Sequence, residues 1–208
     1  MKLFKNIKKW LENQEHLFYL FLLILIVPNI ILCFTEPMPV VAKVCNILLP
    51  FAFYYLVMTL SRNCGKMFWI LFVFIFFGAF QIVLLYLFGQ SIIAVDMFLN
   101  LVTTNSSEAM ELLDNLVPAL VSVIILYIPA LILAAISIIK KRKLSPEFIR
   151  RERKKAWIAL FIGFISLGAA YGLDKRYELK SDLYPANVCY NVALAFQRNA
   201  QTLSLIHI

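Results

Sequence analysis

Asn100, Thr104 and Glu108 follow one another at intervals of four residues. On a continuous helix that spacing sets an amide, a hydroxyl and a carboxylate along one stripe. Such a stripe suits an ammonium group: the carboxylate supplies charge, and the amide and hydroxyl supply further acceptors. A second reading uses the same residues. Asn105 and Glu108 stand three apart and fit a capping box, with Asn105 as the cap and Glu108 reaching back to it. A helix start there would interrupt the stripe, and both readings stay open. Asn105-Ser106-Ser107 also matches a glycosylation sequon, but three-residue matches are common by chance and no other feature points to a eukaryotic secretory protein.

The segment 90–115 around these residues carries Asp96, Glu108, Glu111 and Asp114 and no lysine or arginine. Its first half, 92–102, is amphipathic, with Asp96 and Asn100 four residues apart among apolar ones. A carboxylate at mid-membrane costs roughly 2.5–3.5 kcal/mol on insertion scales, which argues against a full span. The pattern predicts helices lying at a membrane interface.

What holds this segment is apolar. Of 208 residues, 62% are hydrophobic and only 15% charged. Soluble domains run closer to about 45–50% apolar and about 25% charged, so a soluble fold could not hide this much carbon. Five apolar runs stand out, at 17–34, 41–60, 67–88, 116–139 and 156–173. About 20 apolar residues suffice to cross a bilayer, and unpaired backbone groups are intolerable there, so each run reads as a spanning helix. The expected fold is an all-α integral membrane protein: five transmembrane helices with amphipathic helices on the outer side. The first run follows Lys2, Lys5, Lys8 and Lys9 without a small-residue cleavage site, which reads as an uncleaved signal anchor.

The basic residues orient the runs. Fifteen lysines and arginines fall in the N-terminal tail and the loops after runs two and four, against five on the other side. The fifteen-residue side, including the N-terminus, is therefore expected in the cytoplasm. The net charge of +8 arises from these loops, which argues against a nucleic-acid partner. The loop 140–155 opens a helix at Ser145-Pro146-Glu147, a capping serine, a proline at the first helical position and an acid in the first turn. This basic helix serves as a topology determinant or binds anionic headgroups. Cys33, Cys45, Cys64 and Cys189 form no C-x-x-C pair, and His16 and His207 lie near the chain ends. Neither a disulfide framework nor a metal spacing results.

The stretch Asp96-Met97-Phe98-Leu99-Asn100-Leu101-Val102-Thr103-Thr104-Asn105-Ser106-Ser107-Glu108-Ala109 resembles the periplasmic motif of the lipid A phosphoethanolamine transferases, the family of the colistin-resistance enzymes. That family has five spans, an inside N-terminus and an outer segment leading to a periplasmic hydrolase domain. Asp182-Leu183-Tyr184-Pro185-Ala186-Asn187-Val188-Cys189-Tyr190-Asn191 is similar to its segment after the fifth span, where a bridging helix starts. The resemblance covers about 17–201 and is specific at Asn100, Thr104 and Glu108. It implies that these three bind the phosphoethanolamine substrate, with phosphatidylethanolamine and lipid A as partners in a bacterial inner membrane. It also implies a sulfatase-like α/β catalytic domain with zinc and a threonine nucleophile, outside this chain. No catalytic or metal-binding residue is expected within the 208 residues. Thr103 departs from several members, which carry Glu there.

The expected division is a five-helix membrane domain over 1–173, containing the substrate-binding loop 90–115, then a periplasmic linker or bridging helix over 174–202. Leu203-Ser204-Leu205-Ile206-His207-Ile208 resembles the translation of a sequencing-library adapter, so the natural protein is expected to depart near Gln201 or Thr202. The fragment alone is expected to be inactive. Alternatives are the membrane domain of a lipoteichoic acid synthase-like glycerophosphate transferase, or a membrane module without chemistry. A transporter is disfavoured because the runs hold almost no ionisable residues.

Overall fold

A computed structural model describes residues 2–88 and 106–206. All the regular structure among them is helical: α1 (Lys2–Glu12), α2 (Gln14–Thr35), α3 (Val40–Met58), α4 (Cys64–Ile70), α5 (Phe72–Phe88), α6 (Ser106–Ile139), α7 (Pro146–Leu173), α8 (Leu179–Asp182) and α9 (Ala186–Ile206). Four helices are long and apolar enough to cross a membrane, and five spans result if α4 and α5 are counted as one bent pair. The large apolar side chains left exposed fit that setting. Trp157, Ile158, Phe161, Phe164 and Ile165 all face outward on α7, where a water-soluble protein would present polar groups.

Local chemistry sets most helix ends. Asn13 caps α2 by accepting the Glu15 amide at 2.9 Å, and Asn63 caps α4 by accepting the Lys66 amide at 2.8 Å. Ser145 caps α7 by accepting the Phe148 amide at 3.1 Å, with Pro146 at the first helical position. α7 then runs unbroken from the basic stretch into the apolar one. Lys141 takes a left-handed conformation at φ 50°, so that the Arg142 amide reaches back to the Ser137 carbonyl and closes α6.

Two elements depart from a simple five-run picture. The run 67–88 is divided at Leu71, where the chain bends by 60°. No proline or glycine marks the break, so hydropathy passes through it unaltered. The second half of the loop expected at 90–115 is helical: residues 106–115 form the first turns of α6 and lead directly into a span.

The core is aromatic. Phe21 stacks on Phe68 at 4.4 Å, and Phe18 meets Phe148 edge-on at 5.4 Å. Small residues bring backbones together elsewhere, as is usual between helices in lipid. A methyl group on Gly163 would meet the Leu49 Cα at 3.1 Å, where α7 crosses α3. A methyl on Gly65 would overlap the Ala134 carbonyl of α6 and stand 3.0 Å from the Ser137 Cβ.

The basic loops interlock at one end of this bundle. Arg62 and Leu144 exchange two bonds: the Leu144 amide donates to the Arg62 carbonyl at 2.7 Å, and Arg62 Nε donates to the Leu144 carbonyl at 2.9 Å. Asn63 Nδ2 donates to the Arg142 carbonyl at 3.0 Å. Ser137 and Cys64 both donate to Gln14 Oε1, at 2.6 and 3.5 Å. Glu152 is fully buried and accepts from Tyr55 Oη, from Arg151 Nε at 2.8 Å and from Lys155 Nζ at 3.0 Å. Both cations are more than half exposed, so the ion pairs are screened and worth at most about 1 kcal/mol each. The Tyr55 bond ties the basic turns of α7 to α3, and Arg153 adds a second tie by donating to the carbonyl of Thr59, which caps α3.

Gly65→Ala should destabilise the fold by about 1–3 kcal/mol, since backbone lies in the way. Gly168→Ala, on α7 with nothing within 4 Å of the added carbon, should leave the unfolding temperature in detergent unchanged or slightly raised. Equal effects of the two would refute the close contact of α4 with α6.

Candidate functional site

Asn100 and Thr104 lie outside the described residues. Glu108 lies in the first described turn of α6. Along the axis it stands about 13 Å beyond Val117, the first residue of the span, at 1.5 Å per residue. Its backbone is thus at the end of the bundle opposite the basic loops.

The same end contains a cluster of polar side chains that sequence reasoning did not single out. Asn29 of α2 and Asn46 of α3 are completely buried. Each lies about 9 Å along its helix from the nearer end, so both are inside the apolar layer. Their carboxamides meet: Asn29 Nδ2 donates to the Asn46 carbonyl at 2.8 Å and is 3.2 Å from Asn46 Oδ1. Into this pair comes the segment after α7. Asn29 Nδ2 also donates to the Tyr184 carbonyl at 2.9 Å, and Asn46 Oδ1 accepts the Tyr184 amide at 3.2 Å. Tyr184, itself fully buried, donates its phenol to the Phe74 carbonyl at 2.7 Å. The chain leaves α7, forms the single turn of α8, and dips back among α2, α3 and α5. Leu32 and Val188 pack beside the Tyr184 ring.

Further phenols and amides gather around this inserted turn. A methyl on Gly78 would stand 3.0 Å from both Tyr127 Oη and Tyr184 Oη and 2.8 Å from Pro28 Cγ. The two phenol oxygens therefore converge over the bare Cα of α5. Gln81, three residues on and only 1% exposed, has no partner among the described residues for either end of its amide. Exchanging its nitrogen and oxygen would not change that. Tyr54 Oη, Tyr127 Oη and Asn187 Nδ2 are also buried without a partner among the described residues. Burying a polar group unpaired costs about 1–3 kcal/mol, and polar residues inside a membrane helix usually mark function. The cluster is uncharged. Phenols and carboxamides offer donors and acceptors to hydroxyl, ester or water oxygens, and they include neither an acid–base pair nor an activated nucleophile.

An apolar groove of about 400 Å3 adjoins it, lined by Pro50, Phe53, Phe74, Phe164, Leu183 and Cys189 among others. Phe74 belongs to both: its carbonyl accepts the Tyr184 phenol while its ring lines the groove. A polar cluster beside a carbon-lined groove matches the two halves of a lipid. Among the described residues, no three His, Cys, Asp or Glu side chains gather where a metal could bind.

The missed residues did leave a sequence signal. Asn29, Asn46 and Gln81 are amides inside apolar runs, where most residues are aliphatic or aromatic. The tyrosines left none, since a phenol within an aromatic-rich run reads as packing.

No family model, no curated protein and no solved structure matches the chain.

Asn46→Leu should destabilise the fold by about 1–3 kcal/mol by stranding the Tyr184 amide. Limited proteolysis should then cut faster between Asp174 and Asp182. Gln81→Leu should do the opposite and raise the unfolding temperature, because it removes two unpaired buried atoms. A lower temperature in Gln81→Leu would mean that Gln81 is paired within the fold.

Proposed function

We propose that this chain is the membrane domain of a phosphoethanolamine transferase, an enzyme that moves phosphoethanolamine from phosphatidylethanolamine to a phosphate of lipid A. The spacing of Asn100, Thr104 and Glu108 carries this reading, with the resemblance of the surrounding motif. Glu108 supplies the negative charge that an ethanolamine ammonium needs, and Asn100 and Thr104 supply neutral acceptors. The place of Glu108 on the helix that leads into a span supports the reading. A bilayer of about 30 Å of hydrocarbon is about 40–45 Å thick with its headgroups. A backbone about 13 Å beyond Val117 stands at or just above the headgroup layer. The uncharged cluster around Tyr184 and the neighbouring apolar groove suit the ester and acyl portions of the same lipid.

In this reading the chain binds and orients, and the bond-breaking step belongs to a further catalytic domain. Zinc and a threonine nucleophile supply that chemistry in the family resembled. The described residues offer no three-ligand cluster for the metal, so no step is assigned to it here. The basic side of the bundle faces the cytoplasm of a bacterial inner membrane, and Glu108 and the inserted turn at Tyr184 face the periplasm. The excess of fifteen basic residues over five supports that orientation.

In cells expressing the complete reading frame, Glu108→Gln should reduce lipid A modification at least tenfold while membrane accumulation stays unchanged. Wild-type modification in that variant would return Glu108 to a capping role. For orientation, Ser107→Cys should be labelled by a membrane-impermeant maleimide from outside and Lys140→Cys should not, both in a background where Cys189 is replaced by serine. The reverse pattern inverts the topology. The native Cys64 cannot serve as the inner reporter, because it is wholly buried whichever way the bundle faces.

A further inference from the structure

The basic end of the bundle holds a second groove, of about 390 Å3. Four cationic side chains surround it: Arg62 from the turn between α3 and α4, and Arg150, Arg153 and Lys154 from α7. Its floor is carbon, chiefly Ile149 and Trp157. No acidic residue lines it. The nearest buried carboxylate, Glu152, points to the other face of α7 and is held there by Tyr55, Arg151 and Lys155. Glu147, exposed on the first turn of α7, stands outside the lining.

Two of the guanidinium groups are already positioned. Arg62 spends one N–H on the Leu144 carbonyl at 2.9 Å, and Arg153 spends one on the Thr59 carbonyl at 2.6 Å. Each keeps further N–H groups for an incoming acceptor. The interlocked loops fix both elements, so Arg62 and Arg153 converge without further ordering. The location narrows the ligand. Trp157 is 57% exposed at the point where the basic turns of α7 give way to its apolar length, and indole rings favour the membrane–water boundary. A hydrated inorganic anion gains little from a carbon floor, whereas a lipid sets its phosphate against the guanidinium groups and its glycerol against that floor.

We propose that this groove binds the headgroup of an anionic phospholipid in the leaflet at the basic end. The inference rests on the membrane setting of the helices and not on the transferase reading, which concerns the opposite end. Of the two readings the sequence leaves open for the basic helix, orientation signal or headgroup binder, it takes the second and gives it a defined groove.

The test uses the purified full chain in detergent, mixed with phosphatidylglycerol or with phosphatidylcholine of the same acyl chains, and counts retained lipid by native mass spectrometry. Wild-type protein should retain phosphatidylglycerol preferentially. The double variant R150Q/K154Q should lose that preference by about tenfold or more. Neither side chain makes a hydrogen bond or ion pair among the described residues, so helicity should be unchanged, and the charge-preserving R150K/K154R should still bind. A control of equal charge, K140Q/K143Q, lies on the same loop outside the groove and should bind within about twofold of wild type. Equal loss in both glutamine variants would reduce the effect to diffuse charge and overturn the site. No loss in either overturns it as well. Displacement of the lipid by millimolar inorganic phosphate would show that the groove takes phosphate itself, which overturns the assignment to a lipid.

Discussion

Two carboxamides hold together what the chain separates most widely. Asn29 is 155 residues from Tyr184 and Asn46 is 138 from it, yet one turn of backbone at Tyr184 is bonded by both. Inside an apolar layer that turn could not otherwise exist. Its N–H and C=O fall outside any helix, and unpaired they would each cost several kcal/mol in hydrocarbon. The asparagines supply the partners a helix would have supplied. With the turn fixed, Tyr184 reaches Phe74, Val188 packs on Leu32, and the start of α9 is set beside α5. The phenols of Tyr127 and Tyr184 then converge over Gly78.

The two ends of the bundle are built by different means. At the basic end, short polar loops bind one another: Arg62 with Leu144, Asn63 with Arg142, Gln14 with Ser137. Charge is abundant there but mostly exposed, so its energetic weight is small. Its effect is on orientation and on what can approach. At the other end uncharged polar groups are deeply buried, where each hydrogen bond matters more. That difference separates the two ligand readings: the phosphate of an anionic lipid against exposed guanidinium groups, and a zwitterionic lipid's neutral portion among phenols and amides.

Much of the helical frame was readable in advance because hydrocarbon admits few structures. A long apolar run has to be a helix, and the cap at Ser145 uses a short-range bond within three residues. The bend at Leu71 was not readable, because no residue there differs from its surroundings. The candidate site was legible only in part. Asn100, Thr104 and Glu108 draw attention through spacing and charge, although Asn100 and Thr104 lie outside the described residues. The cluster at Tyr54, Gln81, Tyr127 and Tyr184 was not legible, since its members come from four distant segments and each alone resembles core packing.

By itself the sequence determined the class of molecule: apolar runs of spanning length, basic residues gathered in alternate loops, and a short acidic segment with a recognisable spacing. These are properties of composition and order along the chain, and a bilayer reads them directly. Only the tertiary structure decided that the segment after α7 turns back into the bundle, that Glu152 faces Tyr55 and pairs with Arg151 and Lys155 away from the groove of Arg150, Arg153 and Lys154, and that Cys64 is sealed beneath its loop. Those outcomes depend on contacts between residues far apart in sequence. No local pattern encodes them, because the partner of a buried polar group is chosen by which helices happen to meet around it.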